Sequence, residues 1–178
     1  MSDHPSASPP GSHPAVFLDR DGVLIEDTGY PHLEDQMRIT PGAPEAVRRL
    51  NALGYLAIIV TNQSGVARGL FSLDQMNAFN DALVRRFAAK GARIAAVYAC
   101  PFHAEAKVEA FFHPDHPDRK PNPGLILRAI AEHGVDPARS FMIGDQPSDM
   151  DAARRAGVSG FRFEGGDLDR FVRDLLGV

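Results

Sequence analysis

The stretch AVFLDRDG, residues 15–22, decides how the rest of the chain is read. Ala15 to Leu18 is a compact apolar run that stops abruptly at Asp19, the pattern of a strand buried on both faces. Two acids follow, Asp19 and Asp21, and Gly22 permits a sharp departure of the backbone just after them. A strand that ends in acids at a bend places carboxylates at one edge of a sheet.

Working outward, short apolar runs alternate with amphipathic stretches. Pro44 to Leu53 reads as a helix, with Ala46, Val47, Leu50 and Leu53 at helical spacing and Gly54 as its stop. Tyr55 to Val60 is a second buried strand, ending in Thr61-Asn62. Ser72 caps a longer helix, with Gln75 in the capping-box position, an apolar face of Met76, Phe79, Leu83 and Phe87, and Gly91 as its close. Ile94 to Ala99 is a third strand, followed by a long loop over 100–119 that holds His103, His113 and His116. Pro123 opens a helix to about His133; Ser140 to Ile143 is a fourth strand ending at Gly144-Asp145. A helix from Ser148 to Ala156, a short strand near Val158 to Phe161 and a last helix from Asp167 to Leu176 complete the order.

Strand and helix alternating with crossovers of this length predict an α/β fold, a three-layer Rossmann-like sandwich around a parallel, doubly wound sheet. Ligands of such sheets sit beyond the carboxyl ends of the strands, which directs attention to Asp19, Thr61, Cys100 and Asp145. The 178 residues suit one domain, with residues 15–178 expected to form it and the Pro-, Ser- and Gly-rich residues 1–14 expected to be a disordered tail.

Composition narrows the function. An apolar fraction of 44% with 24% charged residues is that of an ordinary globular chain. No apolar run approaches the ~20 residues that span a bilayer, so no membrane partner is expected. The net charge of −4, without a basic face, argues against nucleic acid. The single cysteine, Cys100, allows no intrachain disulfide and fits a reducing, cytoplasmic setting.

The strand ends suggest phosphate chemistry. A carboxylate at Asp19 can attack phosphorus to form a mixed anhydride that water then hydrolyses. Asp21, past the bend, can donate a proton to the leaving oxygen and later take one from water. Thr61, Asn62, Gln63 and Ser64 offer a hydroxyl and amides for phosphate oxygens, and Lys120 can neutralise the attacked phosphate while restraining Asp19. Asp145 adds a third carboxylate for a hard cation such as Mg2+, together with Asp19 and Asp21. Asp149 reads equally well as support for that site or as an acid favoured by the start of a helix. Taken alone, each of these is more simply a solvated loop residue; their order along the chain is what carries weight.

That order is Asp-x-Asp-Gly at 19–22, Thr-Asn at 61–62, Lys-Pro at 120–121 and Gly-Asp-x-x-x-Asp at 144–149, and it resembles the haloacid-dehalogenase superfamily. The resemblance implies a magnesium-dependent phosphatase with an aspartyl-phosphate intermediate. LDRDGV at 18–23, DTGY at 27–30, TNQSGVARG at 61–69 and RKPNPG at 119–124 resemble more closely the D,D-heptose 1,7-bisphosphate phosphatases, whose relatives include the histidinol-phosphate phosphatases. This implies a phosphorylated metabolite as partner, with Asp27, Gly29, Tyr30, Thr61, Asn62, Gln63, Ser64, Arg119 and Lys120 touching it. The short inserts leave no room for a cap domain, and a monomer or weak homodimer is expected.

Two departures stand out against that family. Gln146 occupies a position where the family often has lysine, which removes one positive contact to substrate. Many members also bind a structural zinc through Cys-x-His and Cys-x-Cys in the third long loop. Here the corresponding residues are Cys100, His103, His116 and Asp118, with two thiolates absent and an altered spacing. The loop is therefore expected to be metal-free, a zinc site on those four residues being the alternative.

Overall fold

The computed structural model describes residues 13–178. Five strands form one parallel sheet: β1 (Ala15–Leu18), β2 (Leu56–Asn62), β3 (Ile94–Cys100), β4 (Phe141–Gly144) and β5 (Ser159–Arg162), in the order β3-β2-β1-β4-β5. Helices α1 (Ala43–Ala52), α2 (Leu73–Ala88), α3 (Gly124–His133), α4 (Pro147–Arg155) and α5 (Leu168–Leu176) complete the fold. The expected tail, residues 1–14, lies outside the described residues up to Ser12. His13 already pairs with the loop after α3, donating to the Gly134 carbonyl.

β1 is central, and its side chains alternate between two cores. Val16 and Leu18 face a layer built from α1, α2 and α5, including Val47, Leu50, Phe79, Leu83, Phe87, Leu168 and Val172. Ala15 and Phe17 face the other layer, where α3 and α4 contribute Leu125, Ile126, Ala129, Ala152 and Ala153. All four β1 residues are buried, as the uninterrupted apolar run requires. The architecture is the expected three-layer α/β sandwich, and among the described residues no second domain caps the sheet.

The strand order creates the site. From β1 the chain moves outward through β2 to β3, then crosses back to place β4 on the opposite side of β1 and continues to β5. The carboxyl ends of β1 and β4 therefore flank the point where the winding reverses. Leu18 pairs with Ile143, and the Asp19 amide donates to the Ile143 carbonyl, so Asp19 and Asp145 emerge side by side.

Element boundaries differ from expectation mainly at β2 and β3. Thr61 and Asn62 still pair, with Ala99 and Cys100, so three residues expected just beyond strand ends (Thr61, Asn62 and Cys100) lie within strands. Asp19 and Asp145 do follow theirs. The Ser72 hydroxyl accepts from the Gln75 amide and the Gln75 side chain accepts from the Ser72 amide, which forms the capping box read from sequence. No helix among the described residues is long and apolar enough to cross a membrane.

Candidate active site

Three carboxylates converge at the reversal point. Ligand oxygens of Asp19, Asp145 and Asp149 lie within 4.8 Å of one another. Gly22 makes this approach feasible: its φ is +86°, and a Cβ there would fall 2.4 Å from Asp145 Oδ2. Gly144 has the same importance for Asp149, whose own Cβ would stand 2.3 Å from a side chain at that position.

Lys120 balances part of this charge. Its ammonium donates to the Val60 carbonyl at 2.9 Å and pairs with Asp19 Oδ1 at 3.0 Å and Asp149 Oδ1 at 2.6 Å. One hydrogen bond and two close ion pairs thus hold a side chain only 2% exposed. Asn62 anchors the lysine's backbone: its amide donates to the Lys120 carbonyl and its oxygen accepts from the Lys120 N–H, both at 3.0 Å. Asp149, in turn, accepts from the Asp145 and Gln146 amides through Oδ2. It is a buried acid that holds Lys120 and the start of α4 together.

Electrostatics follow from this packing. Burial, with Asp149 and Asp21 adding repulsion, raises Asp19 to about 7 against the attraction of Lys120. Burial pulls Lys120 down, but the two carboxylates outweigh it and hold its pKa above the ordinary lysine value. Three acids against one ammonium leave the cluster negative. Asp145 Oδ1 is buried without a hydrogen-bond donor, and its Oδ2 accepts only from the Gln146 side chain at 2.7 Å. Clustered oxygens, surplus negative charge and an orphaned buried carboxylate oxygen together suit a hard divalent cation.

A cleft of about 330 Å³ opens over this cluster. It brings together Asp19, Asp21, Asp27, Gly29, Tyr30, Asn62, Gln63, Ser64, Lys120 and Asp145, all expected from the sequence, and adds Gln146, Ser148 and Asp149. Two expected substrate residues do not line it. Thr61 is buried and its hydroxyl accepts from the Gln63 side-chain amide. Arg119 is directed toward the 100–119 loop, where it donates to the Phe102 carbonyl.

The Asp21 carboxylate faces the cleft but stands apart from the acidic cluster. Arg20, 1% exposed, grips both of its oxygens, and Gln63 donates to Oδ2 at 2.8 Å. Arg20, Gln146 and Ser148 are not among the site residues expected from sequence. A signal for Arg20 exists in Asn80, a polar residue on the otherwise apolar face of α2, which accepts from its guanidinium.

In the 100–119 loop the four residues weighed as zinc ligands do not converge. Cys100 Sγ is 4.0 Å from His116 Nδ1, which itself accepts from the Asp118 amide. His103 Nδ1 accepts from the Glu105 amide, and its Nε2 lies 3.4 Å from Arg68. Burial raises the Cys100 thiol, which disfavours a thiolate. Phe102 stacks on His116 at 4.1 Å with the rings nearly parallel, and Phe111 packs edge-on against Phe102.

A parallel sheet whose switch point gathers carboxylates around a buried lysine defines a phosphatase of the haloacid-dehalogenase (HAD) type. Comparison with known proteins agrees: the HAD-hydrolase-like family model matches residues 118–170. The chain is 47% identical over 164 residues, 92% of its length and 90% of the relative's, to the D-glycero-beta-D-manno-heptose-1,7-bisphosphate 7-phosphatase of Rhodopseudomonas palustris. It is 45% identical over 144 residues, 81% and 77% of the two chains, to the enzyme of the same name from Pasteurella multocida. The crystal structure of D,D-heptose 1,7-bisphosphate phosphatase from B. bronchiseptica, complexed with magnesium and phosphate, superposes with a TM-score of 0.79. That match has 29% identity and covers 92% of this chain and 98% of that one. The chain belongs to the HAD superfamily of phosphatases, within the group represented by these heptose bisphosphate enzymes.

Proposed function

We propose that this phosphatase removes the 7-phosphate of D-glycero-β-D-manno-heptose 1,7-bisphosphate, with Asp19 as nucleophile and Asp21 as acid and base. The observation that carries the mechanism is the convergence of Asp19, Asp145 and Asp149 at the sheet's switch point, with Lys120 paired to Asp19 and Asp149. The substrate rests on the named relatives, of which this chain covers most of the length.

Asp19 Oδ1 is occupied by Lys120 and by the Arg20 amide, while Asp19 also lines the cleft from which a phosphoryl group would arrive. Attack by the Asp19 carboxylate forms a C–O–P mixed anhydride and releases the sugar oxygen, which takes a proton from Asp21. Water, giving its proton to Asp21, then attacks the phosphorus, releasing phosphate and restoring Asp19. Lys120 offsets negative charge on the transferring group, and Asn62 holds Lys120 for that task. Mg2+ would be held by Asp19 and Asp145, while the Asp21 carboxylate, gripped by Arg20 and Gln63, stands apart from that cluster. The ion would supply charge neutralisation for phosphate oxygens beside the buried acids.

Asp27, Gly29, Tyr30 and Ser64 form the rim that would meet the sugar. With no cap over the sheet among the described residues, this rim is what would select the substrate. Gln146 makes no net positive contact there; it donates to Asp145 instead. The test is a turnover comparison with magnesium: heptose 1,7-bisphosphate against histidinol phosphate. Faster release of phosphate from C7 of the heptose is expected; a clear preference for histidinol phosphate refutes the sugar assignment.

A further inference from the structure

We infer that Arg20 is a positioning residue that fixes the Asp21 carboxylate for proton transfer and ties it to the substrate-facing loop. The inference rests on the acid–base reading of Asp21 given above. Arg20 lies between the two motif acids, yet its side chain is among the largest fully buried ones in the molecule. An arginine so buried needs hydrogen-bond partners, and here each of its three nitrogens has at least one.

Its Nε donates to Asp21 Oδ1 at 3.2 Å, and one terminal nitrogen reaches Oδ1 and Oδ2 at 3.1 and 3.0 Å. The same nitrogen donates to Gln63 Oε1 at 2.9 Å and approaches the Pro31 carbonyl at 3.3 Å. The other terminal nitrogen donates to Asn80 Oδ1 at 2.9 Å, and the guanidinium lies 4.7 Å above the Phe79 ring. Gln63 closes the ring of interactions by donating to Asp21 Oδ2.

Both Asp21 oxygens are held by a planar fork, so the carboxylate cannot rotate freely, although it stays 20% exposed toward the cleft. The fork is in turn fastened to α2 through Asn80 and Phe79, and to the loop of Tyr30 through Pro31. Tyr30 lines the cleft with a φ of +53°, a backbone state that its surroundings must maintain. A single buried cation thus sets the orientation of Asp21 and the position of the rim that would meet substrate. Lysine cannot replace it, because an ammonium lacks the planar geometry that spans Asp21, Gln63 and Asn80 together.

The test compares R20K, N80S and D21N with the wild type in magnesium, using two probes. One is p-nitrophenyl phosphate, whose leaving group departs without a proton; the other is heptose 1,7-bisphosphate, whose alkoxide needs one. The readout is kcat/KM, which covers the steps up to departure of the leaving group. If Arg20 serves Asp21, R20K loses about tenfold or more on the sugar beyond its loss on the aryl ester, a fraction of the ~10²–10⁴ that a general acid contributes. N80S, which touches neither Asp21 nor the cleft, shows the same bias to a smaller degree and decides the matter should R20K fail to fold. D21N shows the bias in full. Equal losses on both probes in R20K and N80S mean that Arg20 only supports the fold, and the inference is then wrong. If D21N itself is unbiased, the acid role of Asp21 falls and the inference with it; if D21N is biased and the other two are not, only the assignment of Arg20 falls.

Discussion

Replacing Lys120 by methionine removes the only cation that touches Asp19 and Asp149 among the described residues, while keeping the length of the side chain. The substitution abolishes ion pairs of 3.0 and 2.6 Å and the 2.9 Å hydrogen bond to the Val60 carbonyl. Two unit charges 4 Å apart attract by about 4 kcal/mol at an effective dielectric of about 20, and both pairs here are closer. Summing them would overstate the cost, because Asp19 can take up a proton. It already sits at about 7 with Lys120 present, and the variant is without the lysine's lowering influence. Removal of one partner of a buried pair typically costs about 3–5 kcal/mol, and we expect about 4 kcal/mol at neutral pH. That is a fall in Tm of roughly 8–16 °C for a chain of this size.

The pH dependence gives the sharper signature. A carboxyl whose folded pKa is raised contributes stability that is complete below its unfolded pKa, 3.8 here, and is lost as pH rises through the folded value. Acidification from above 7 toward 5 therefore restores stability to K120M faster than to the wild type, and the deficit narrows. Urea unfolding at about pH 5.5 and pH 7.5 measures it, with kcat on p-nitrophenyl phosphate expected to fall by about 10²–10³ in magnesium. A deficit below about 1 kcal/mol, unchanged between the two pH values, would refute the electrostatic reasoning.

Other perturbations probe the metal site and the packing beneath it. Gly22→Ala forces a Cβ to within 2.4 Å of Asp145 Oδ2 at a φ of +86°; calorimetric titration should show weaker magnesium binding, with a stability loss of about 1–2 kcal/mol from the backbone alone. Metal-free protein should lose Tm between about pH 5 and pH 8 as Asp19 ionises, and saturating Mg2+ should raise Tm more at the upper end, where the carboxylate is already free of its proton. Asp169→Asn breaks a bidentate pair with Arg49 that joins α5 to α1, at 2.8 and 3.0 Å. Hydrogen bonding to Arg49 holds Asp169 below 3.8, so its contribution is present above that value and lost as pH falls through the folded pKa. The expected deficit, about 0.5–1 kcal/mol at neutral pH because Arg49 is partly solvated, should vanish in strong acid when thermal unfolding is followed by circular dichroism.

The sheet is legible in the sequence because burial on both faces leaves an uninterrupted apolar signature. AVFL at 15–18 and FMIG at 141–144 announce buried strands, and the acids that follow mark their carboxyl ends. The extension of β2 through Asn62 is not legible, since it depends on pairing with Ala99 and Cys100 nearly forty residues away. The same physics limits the site. Carboxylates at strand ends can be counted from sequence, but which oxygen meets which donor depends on long-range neighbours such as Val60 beside Lys120. For Arg20 the sequence offers only the polar Asn80 on an apolar helix face, because its partners, Gln63 and Asn80, come from other elements. Arg119 and Thr61 carry suitable chemistry, yet the fold turns one to the loop at 100–119 and buries the other.

The central claim is that Asp19 carries the phosphoryl group, and trapping that group tests it most directly. Turnover in magnesium is quenched with acid, the protein is reduced with borohydride and its peptides are analysed by mass spectrometry. Residue 19 should be converted to homoserine only when substrate is present, with no conversion in D19N and no turnover by that variant. Reduction at another carboxylate, or undiminished hydrolysis by D19N, would contradict the assignment.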